Sequence, residues 1–144
     1  MATTFVHGGT VVSPTGTQLL DVLIDGETIA AVLKPGSTAL AADLTQSADT
    51  VIDATGRYVL PGGVDGHTHM EMPFGGTFAS DTFETGTRAA AWGGTTTIVD
   101  FAIQTPGQRV QDTLAQWHEK AAGNCAIDYG FHQIIAEVAR DSLK

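Results

Sequence analysis

Pro61-Gly62-Gly63-Val64-Asp65-Gly66-His67-Thr68-His69 is the stretch whose reading decides the fold. It sets two imidazoles two positions apart at the end of a short apolar run. In an extended strand, side chains at i and i+2 share a face, so His67 and His69 project together. Two neutral imidazoles converging from one strand end make half of a divalent metal site, with zinc the first candidate. Taken alone, a His-x-His pair fits packed or surface histidines as well. Asp65 precedes the pair on the same face, and aspartate is a poor strand former. Its carboxylate therefore either orients a ligand or a nearby backbone group, or is a buried acid bonded to neighbouring amides.

Downstream the pattern alternates. Asp81 followed by Glu84 has the spacing of a capping box with aspartate in the capping role, opening a helix over Phe83 to Trp92 that Gly93-Gly94 ends. Thr95 to Ala102 is continuously β-branched and apolar, as expected of a strand buried on both faces. Val110, Leu114, Trp117 and Ala121 form one helical stripe, stopped by Gly123. Ile127 to Ile135 gives a third strand, and Ala136 to Lys144 reads as the opening of another helix. Strands alternating with helices imply a parallel sheet with helical crossovers, either doubly wound or a barrel. In a barrel, catalytic residues sit at C-terminal strand ends, where His67 and His69 fall. A full barrel takes about 250 residues, so a barrel reading makes this 144-residue chain a fragment holding about three of eight strands.

Upstream, residues 1–57 read as β-structure. Phe5 to Val12 is a glycine-broken apolar run, and Ser13-Pro14-Thr15-Gly16 is a turn. Asp21 to Ile24 and Thr28 to Val32 flank an Asp25-Gly26 hairpin turn. Lys34 to Gln46 starts with Pro-Gly, then becomes small and polar, and reads as loop. Thr50 to Asp53 and Tyr58 to Leu60 return to strand. The expected division is 1–57 and 58–144.

Composition narrows the function classes. The chain is 42% hydrophobic and 16% charged, which suits a soluble globular protein. A net charge of −9, with seven scattered Lys and Arg, argues against nucleic-acid or anionic-membrane partners. No apolar run approaches the ~20 residues of a membrane span, and no secretory leader is visible. The single Cys125 excludes an internal disulfide framework and suits a reducing compartment, so a cytoplasmic location is expected. Cys125 reads as a small packed or turn residue rather than a reactive thiol.

Pro61 to His69, Met72-Pro73-Phe74-Gly75-Gly76, Asp81 to Gly86, Gly93 to Phe101 and the Asp21 to Val32 hairpin together resemble the dihydropyrimidinase and hydantoinase branch of the amidohydrolase superfamily. The likeness spans essentially the whole chain. It implies an α/β fold: the start of a (β/α)8 TIM barrel preceded by strands of a small β-sandwich, incomplete here. It further implies a centre of two zinc ions, with His67 and His69 on the more buried one, a homotetramer, and hydrolysis of a small cyclic amide to an N-carbamoyl amino acid. The family's other ligands are a carboxylated lysine, two histidines and an aspartate that shuttles protons. None can be placed in this chain, so no catalytic residue is assigned and the chain alone is expected to be inactive. Lys144 ends a helix-like stretch, whereas the family lysine sits on a strand. His132 reads as a near-site histidine with a hydrogen-bonded ring rather than a ligand, and His7 and His118 as ordinary.

Dihydroorotases resemble the motif but place an arginine two residues beyond the second histidine, to hold a substrate carboxylate. Allantoinase-like relatives tend to have asparagine there. This chain has Glu71, which favours a neutral ring, a dihydropyrimidine or a 5-substituted hydantoin. The apolar Met70 to Phe78 loop, with Met72 and Phe74 foremost, is then the expected wall for the ring substituent, or a surface loop with a few packed side chains. The competing readings are a non-catalytic relative acting through its oligomer, a truncated product of the same fold, and an allantoinase- or dihydroorotase-like enzyme.

Overall fold

The structure, a computed structural model, describes residues 2–35 and 38–138. It divides into two compact units, residues 1–61 and 62–144. Tyr58 and Val59, expected in the second segment, pair with the first strand of the chain, which moves the division past Arg57 to Pro61.

The first unit is one five-stranded sheet. Strands β1 (Thr3–Ser13), β2 (Gly16–Asp25) and β3 (Thr28–Leu33) form an antiparallel meander. The two hairpin turns fall at Pro14-Thr15 and Gly26-Glu27, and Gly26 carries the positive φ that the second needs. Strands β4 (Thr50–Asp53) and β5 (Tyr58–Val59) both pair in parallel with β1. Between them and the meander lies α1 (Thr38–Ser47), where a loop was expected. Alanine and leucine supply half of that helix, and their intrinsic helix propensity outweighs the small, polar look of the segment. Ala41 and Leu44, one turn apart, are half-buried, and residues 40, 42, 43 and 45–47 are exposed.

The second unit is a three-stranded parallel sheet in the order β10-β9-β6, with a helix in each crossover. Strand β6 (Gly63–Thr68) leads through a small hairpin, β7 (Pro73–Phe74) and β8 (Thr77–Phe78), to α2 (Phe83–Trp92). Strand β9 (Thr95–Ile103), α3 (Val110–Ala121) and β10 (Asp128–Ile134) follow. The cap of α2 differs from expectation by one residue. Thr82 is the N-cap, its hydroxyl accepting the Thr85 N–H (3.2 Å) while Thr85 Oγ1 accepts the Thr82 N–H (3.0 Å). Asp81 instead accepts the Thr85 hydroxyl (3.2 Å).

The core of this unit lies between sheet and helices and contains Met70, Phe83, Ile98, Ala102, Trp117 and Ala121, with Leu114 and Phe131 packed against it. Within β9, Ile98, Asp100 and Ala102 are buried, whereas Thr97, Val99, Phe101 and Ile103 are half-buried. The strand thus alternates rather than being enclosed on both faces, because helices cover one face of the three-stranded sheet. Gly62 lies so close to β9 that a Cβ there would fall 2.7 Å from Thr96 Cβ and nearer still to its γ atoms. That close approach explains the first glycine of Pro61-Gly62-Gly63.

No helix opens at Ala136. Residues 136–138 have no regular structure, and residues 139–144, with Lys144, lie outside the described residues. Gln104, buried at the end of β9, accepts the N–H groups of Ala136 and Glu137 on Oε1 (3.0 Å each). No helix among the described residues is long and apolar enough to cross a membrane.

Candidate metal-binding half-site

The C-terminal ends of β6, β9 and β10 place four rings together on the sheet face opposite the helices. The His67 and His69 centroids are 5.0 Å apart, edge to face. Phe101, on the adjacent strand, lies 4.5 Å from His67, 5.2 Å from His69 and 4.9 Å from His132. Both histidines of the pair are exposed, so their ring nitrogens are accessible to a ligand. His132 Nε2 lies 3.2 Å from the Gly66 carbonyl oxygen, and the tautomer protonated at Nε2 donates there. Among the described residues, no group of three or more His, Cys, Asp or Glu is arranged to hold a metal ion.

Its backbone is irregular. Pairing between β6 and β9 passes from Asp65–Ile98 to Thr68–Asp100, which inserts one extra residue on β6. Bulges of this kind re-aim side chains at strand ends. Asp65 is exposed, and its Oδ1 accepts the His67 N–H at 3.1 Å. The bond is to a neighbouring amide, and the acid is exposed rather than buried. The buried acid is Asp100. It is fully enclosed, and Oδ2 accepts both the Thr68 hydroxyl (2.9 Å) and the Met70 N–H (2.7 Å), while Oδ1 accepts the Phe101 N–H (2.8 Å). Sequence reasoning passed over Asp100, although an acid inside a β-branched run carries the same signal that singled out Asp65.

The first two residues after the pair, Met70 and Glu71, are engaged with α2. Met70 is 9% exposed and packs so tightly on α2 that a Cβ on Gly86 would overlap its thioether. It belongs to the core, not to a substrate wall. Glu71 is the one non-glycine residue among those described with positive φ, +52°. That turn directs its carboxylate to the first N–H of α2, Phe83 N to Glu71 Oε1 at 3.3 Å. Helix N-termini favour such anions. Glu71 therefore caps a helix. Met72 is half-buried, with its carbonyl accepting the Ala79 N–H (2.8 Å), and Phe74 is 76% exposed on the β7–β8 hairpin.

The other flagged residues are ordinary in their surroundings. His7 stacks on Phe5 at 5.9 Å and His118 meets Phe131 edge-on at 4.9 Å. Burial, with a smaller contribution from the charge of Asp100, pushes the Cys125 thiol above its usual range. Less thiolate at a given pH means a slower nucleophile. Iodoacetamide at pH 8 is expected to label Cys125 in the folded protein several-fold more slowly than in urea. Equal rates would show that the thiol is freely exposed.

The sequence profile of the amidohydrolase family matches residues 58–138, from β5 to just past β10. The chain belongs to the amidohydrolase family. It is 59% identical over 141 residues to a D-hydantoinase of Streptomyces coelicolor, a match covering 98% of this chain and 30% of that one. A D-hydantoinase of Geobacillus stearothermophilus is 46% identical over 142 residues, covering 99% and 28%. The crystal structure of dihydropyrimidinase from Brevibacillus agri matches with a TM-score of 0.86 and 48% identity, over 97% of this chain and 29% of that one. This amidohydrolase chain thus spans less than a third of the length of the curated relatives it matches. Over that span its mixed α/β fold is the one found in hydantoinase structures.

Proposed function

We propose that the protein carrying this chain is a zinc-dependent hydrolase that opens a cyclic amide, a dihydropyrimidine or a 5-substituted hydantoin, to an N-carbamoyl amino acid. The observation that carries the reading is the exposed His67–His69 pair, rings 5.0 Å apart, at the end of the first strand of a parallel sheet. Similarity to D-hydantoinases and dihydropyrimidinases supports a cyclic amide as the substrate class. The donor set fits the metal, since imidazole nitrogens on a rigid strand end suit zinc.

His67 and His69 would hold the ion from one side, the remaining donors coming from other parts of a (β/α)8 barrel. When bound, zinc supplies Lewis acidity, which polarises an amide carbonyl and makes water nucleophilic near neutral pH. Asp65 fixes the His67 backbone, and Phe101 gives the imidazoles an apolar floor that restricts how the rings turn. Met72 and Phe74 would meet the ring substituent. Position 71 offers no cation for an anionic ring, and its carboxylate is engaged by α2, which favours a neutral substrate over a dihydroorotate-like one. A cytoplasmic homotetramer with two zinc ions per site completes the proposal.

The test is zinc analysis of the complete protein together with a hydantoin ring-opening assay. Activity is expected to vanish on chelation and return with zinc. A preparation that neither binds zinc nor opens the ring after reconstitution would sink the proposal.

A further inference from the structure

We propose that Asp100 is the positioning residue of the half-site, setting the direction in which His67 and His69 leave β6; this rests on the metal-holding role of the pair. One oxygen of its enclosed carboxylate, Oδ2, binds the Thr68 hydroxyl and the Met70 N–H. Those donors flank His69 in sequence, so a single atom holds the chain on both sides of that residue, by the side chain of Thr68 and the backbone of Met70. The other oxygen binds the N–H of Phe101, whose ring lies against both imidazoles. The carboxylate therefore connects the strand that carries the histidines to the ring that underlies them.

The grip falls where the sheet itself gives least support. At the Asp65–Thr68 irregularity β6 carries one more residue than β9, and a bulge leaves its extra residue unpaired in the ladder. Regular strand pairing cannot fix His67 and His69 there. Asp100 on the helix-covered face and the His132 contact to the Gly66 carbonyl on the other face fix the strand instead. Charge-assisted hydrogen bonds are shorter and stiffer than neutral ones, which suits an acid to this task.

A purely structural acid would stabilise the fold and nothing more, so the deciding measurement is metal affinity. Asp100→Asn keeps the shape but turns one oxygen into an amide NH2. Whichever way the amide sits, one backbone N–H, of Met70 or of Phe101, then faces a donor. Thr68→Val removes a single bond and leaves the carboxylate in place. In the complete protein, stripped of metal and titrated with zinc against a chromophoric chelator, Asp100→Asn is expected to bind about tenfold to hundredfold more weakly. Thr68→Val should weaken binding less, in the same direction, and cobalt(II) substituted into either variant should show shifted visible bands.

Wild-type zinc affinity with an unchanged cobalt spectrum in folded Asp100→Asn would overturn the proposal. If that variant does not fold, Thr68→Val decides alone, a weaker affinity supporting the proposal and an unchanged one overturning it. His67→Ala runs alongside as the control. Loss of zinc there with unaltered Asp100→Asn defeats only the positioning role, whereas zinc retained by His67→Ala defeats the metal reading on which it rests.

Discussion

His67→Ala or His69→Ala is expected to lower ring-opening turnover by on the order of a thousandfold or more while leaving the metal-free fold nearly as stable as the parent. The separation of the two effects follows from exposure. Both rings stand on the sheet face away from the helices, so truncating either removes little buried surface and leaves the core between sheet and helices intact. Surface substitutions of that kind usually change stability by about 0.5 kcal/mol or less. The chemistry is affected very differently. Lewis-acid stabilisation is worth several kcal/mol, and about 1.4 kcal/mol corresponds to tenfold in rate, so losing the metal removes roughly three powers of ten or more. Turnover, bound zinc and a thermal melt of the metal-free protein, measured on the same preparations, check all three parts. Near-wild-type turnover in either variant would show that the pair does not hold the metal.

The three parallel strands and two helices after Pro61 were legible from their residue patterns, whereas the short β7–β8 hairpin was read as loop. Thr95 to Val99 is β-branched throughout, and the Val110–Ala121 stripe brings Trp117 and Ala121 into the core. At the start of α2 the sequence reading placed the cap on Asp81, one residue early. Asp81 and Thr82 are both good N-caps, and the reciprocal Thr82–Thr85 bonds, a matter of backbone geometry, settle it. Segment 38–47 was missed because its small residues look loop-like between turn signals, although alanine is also the best helix former.

At the site, the His67–His69 pairing was visible from i, i+2 spacing alone. The fate of Glu71 was not, because it depends on a left-handed backbone turn that no neighbouring glycine announces. Asp100 was hidden for another reason. Its partners, Thr68 and Met70, lie about thirty residues away and meet it only through the parallel pairing of β6 with β9.

Phe83→Ala should be the most destabilising single truncation in the second unit, by about 3–5 kcal/mol. Phe83 is fully buried as the first residue of α2, and its ring meets Phe131 of β10 edge-on at 6.2 Å. It shares the core with Met70, Ile98 and Trp117, so the ring joins the exit of β6, the start of α2 and the middle of the sheet. Its removal leaves a cavity enclosed by two strands and two helices, which cannot collapse without dragging the paired backbone of β9 with them. Phe83→Leu keeps most of the apolar volume and should recover the larger part of the loss. Urea unfolding of the complete protein, followed by far-ultraviolet circular dichroism, measures both. A Phe83→Ala midpoint equal to the parent's would mean that the core is not built around this ring. The contrast with the histidine variants is the sharper test. A ring on the open face is expected to cost activity and spare the fold, and a ring on the helix-covered face is expected to cost the fold first. Only the two-faced sheet described here assigns the two losses in that way.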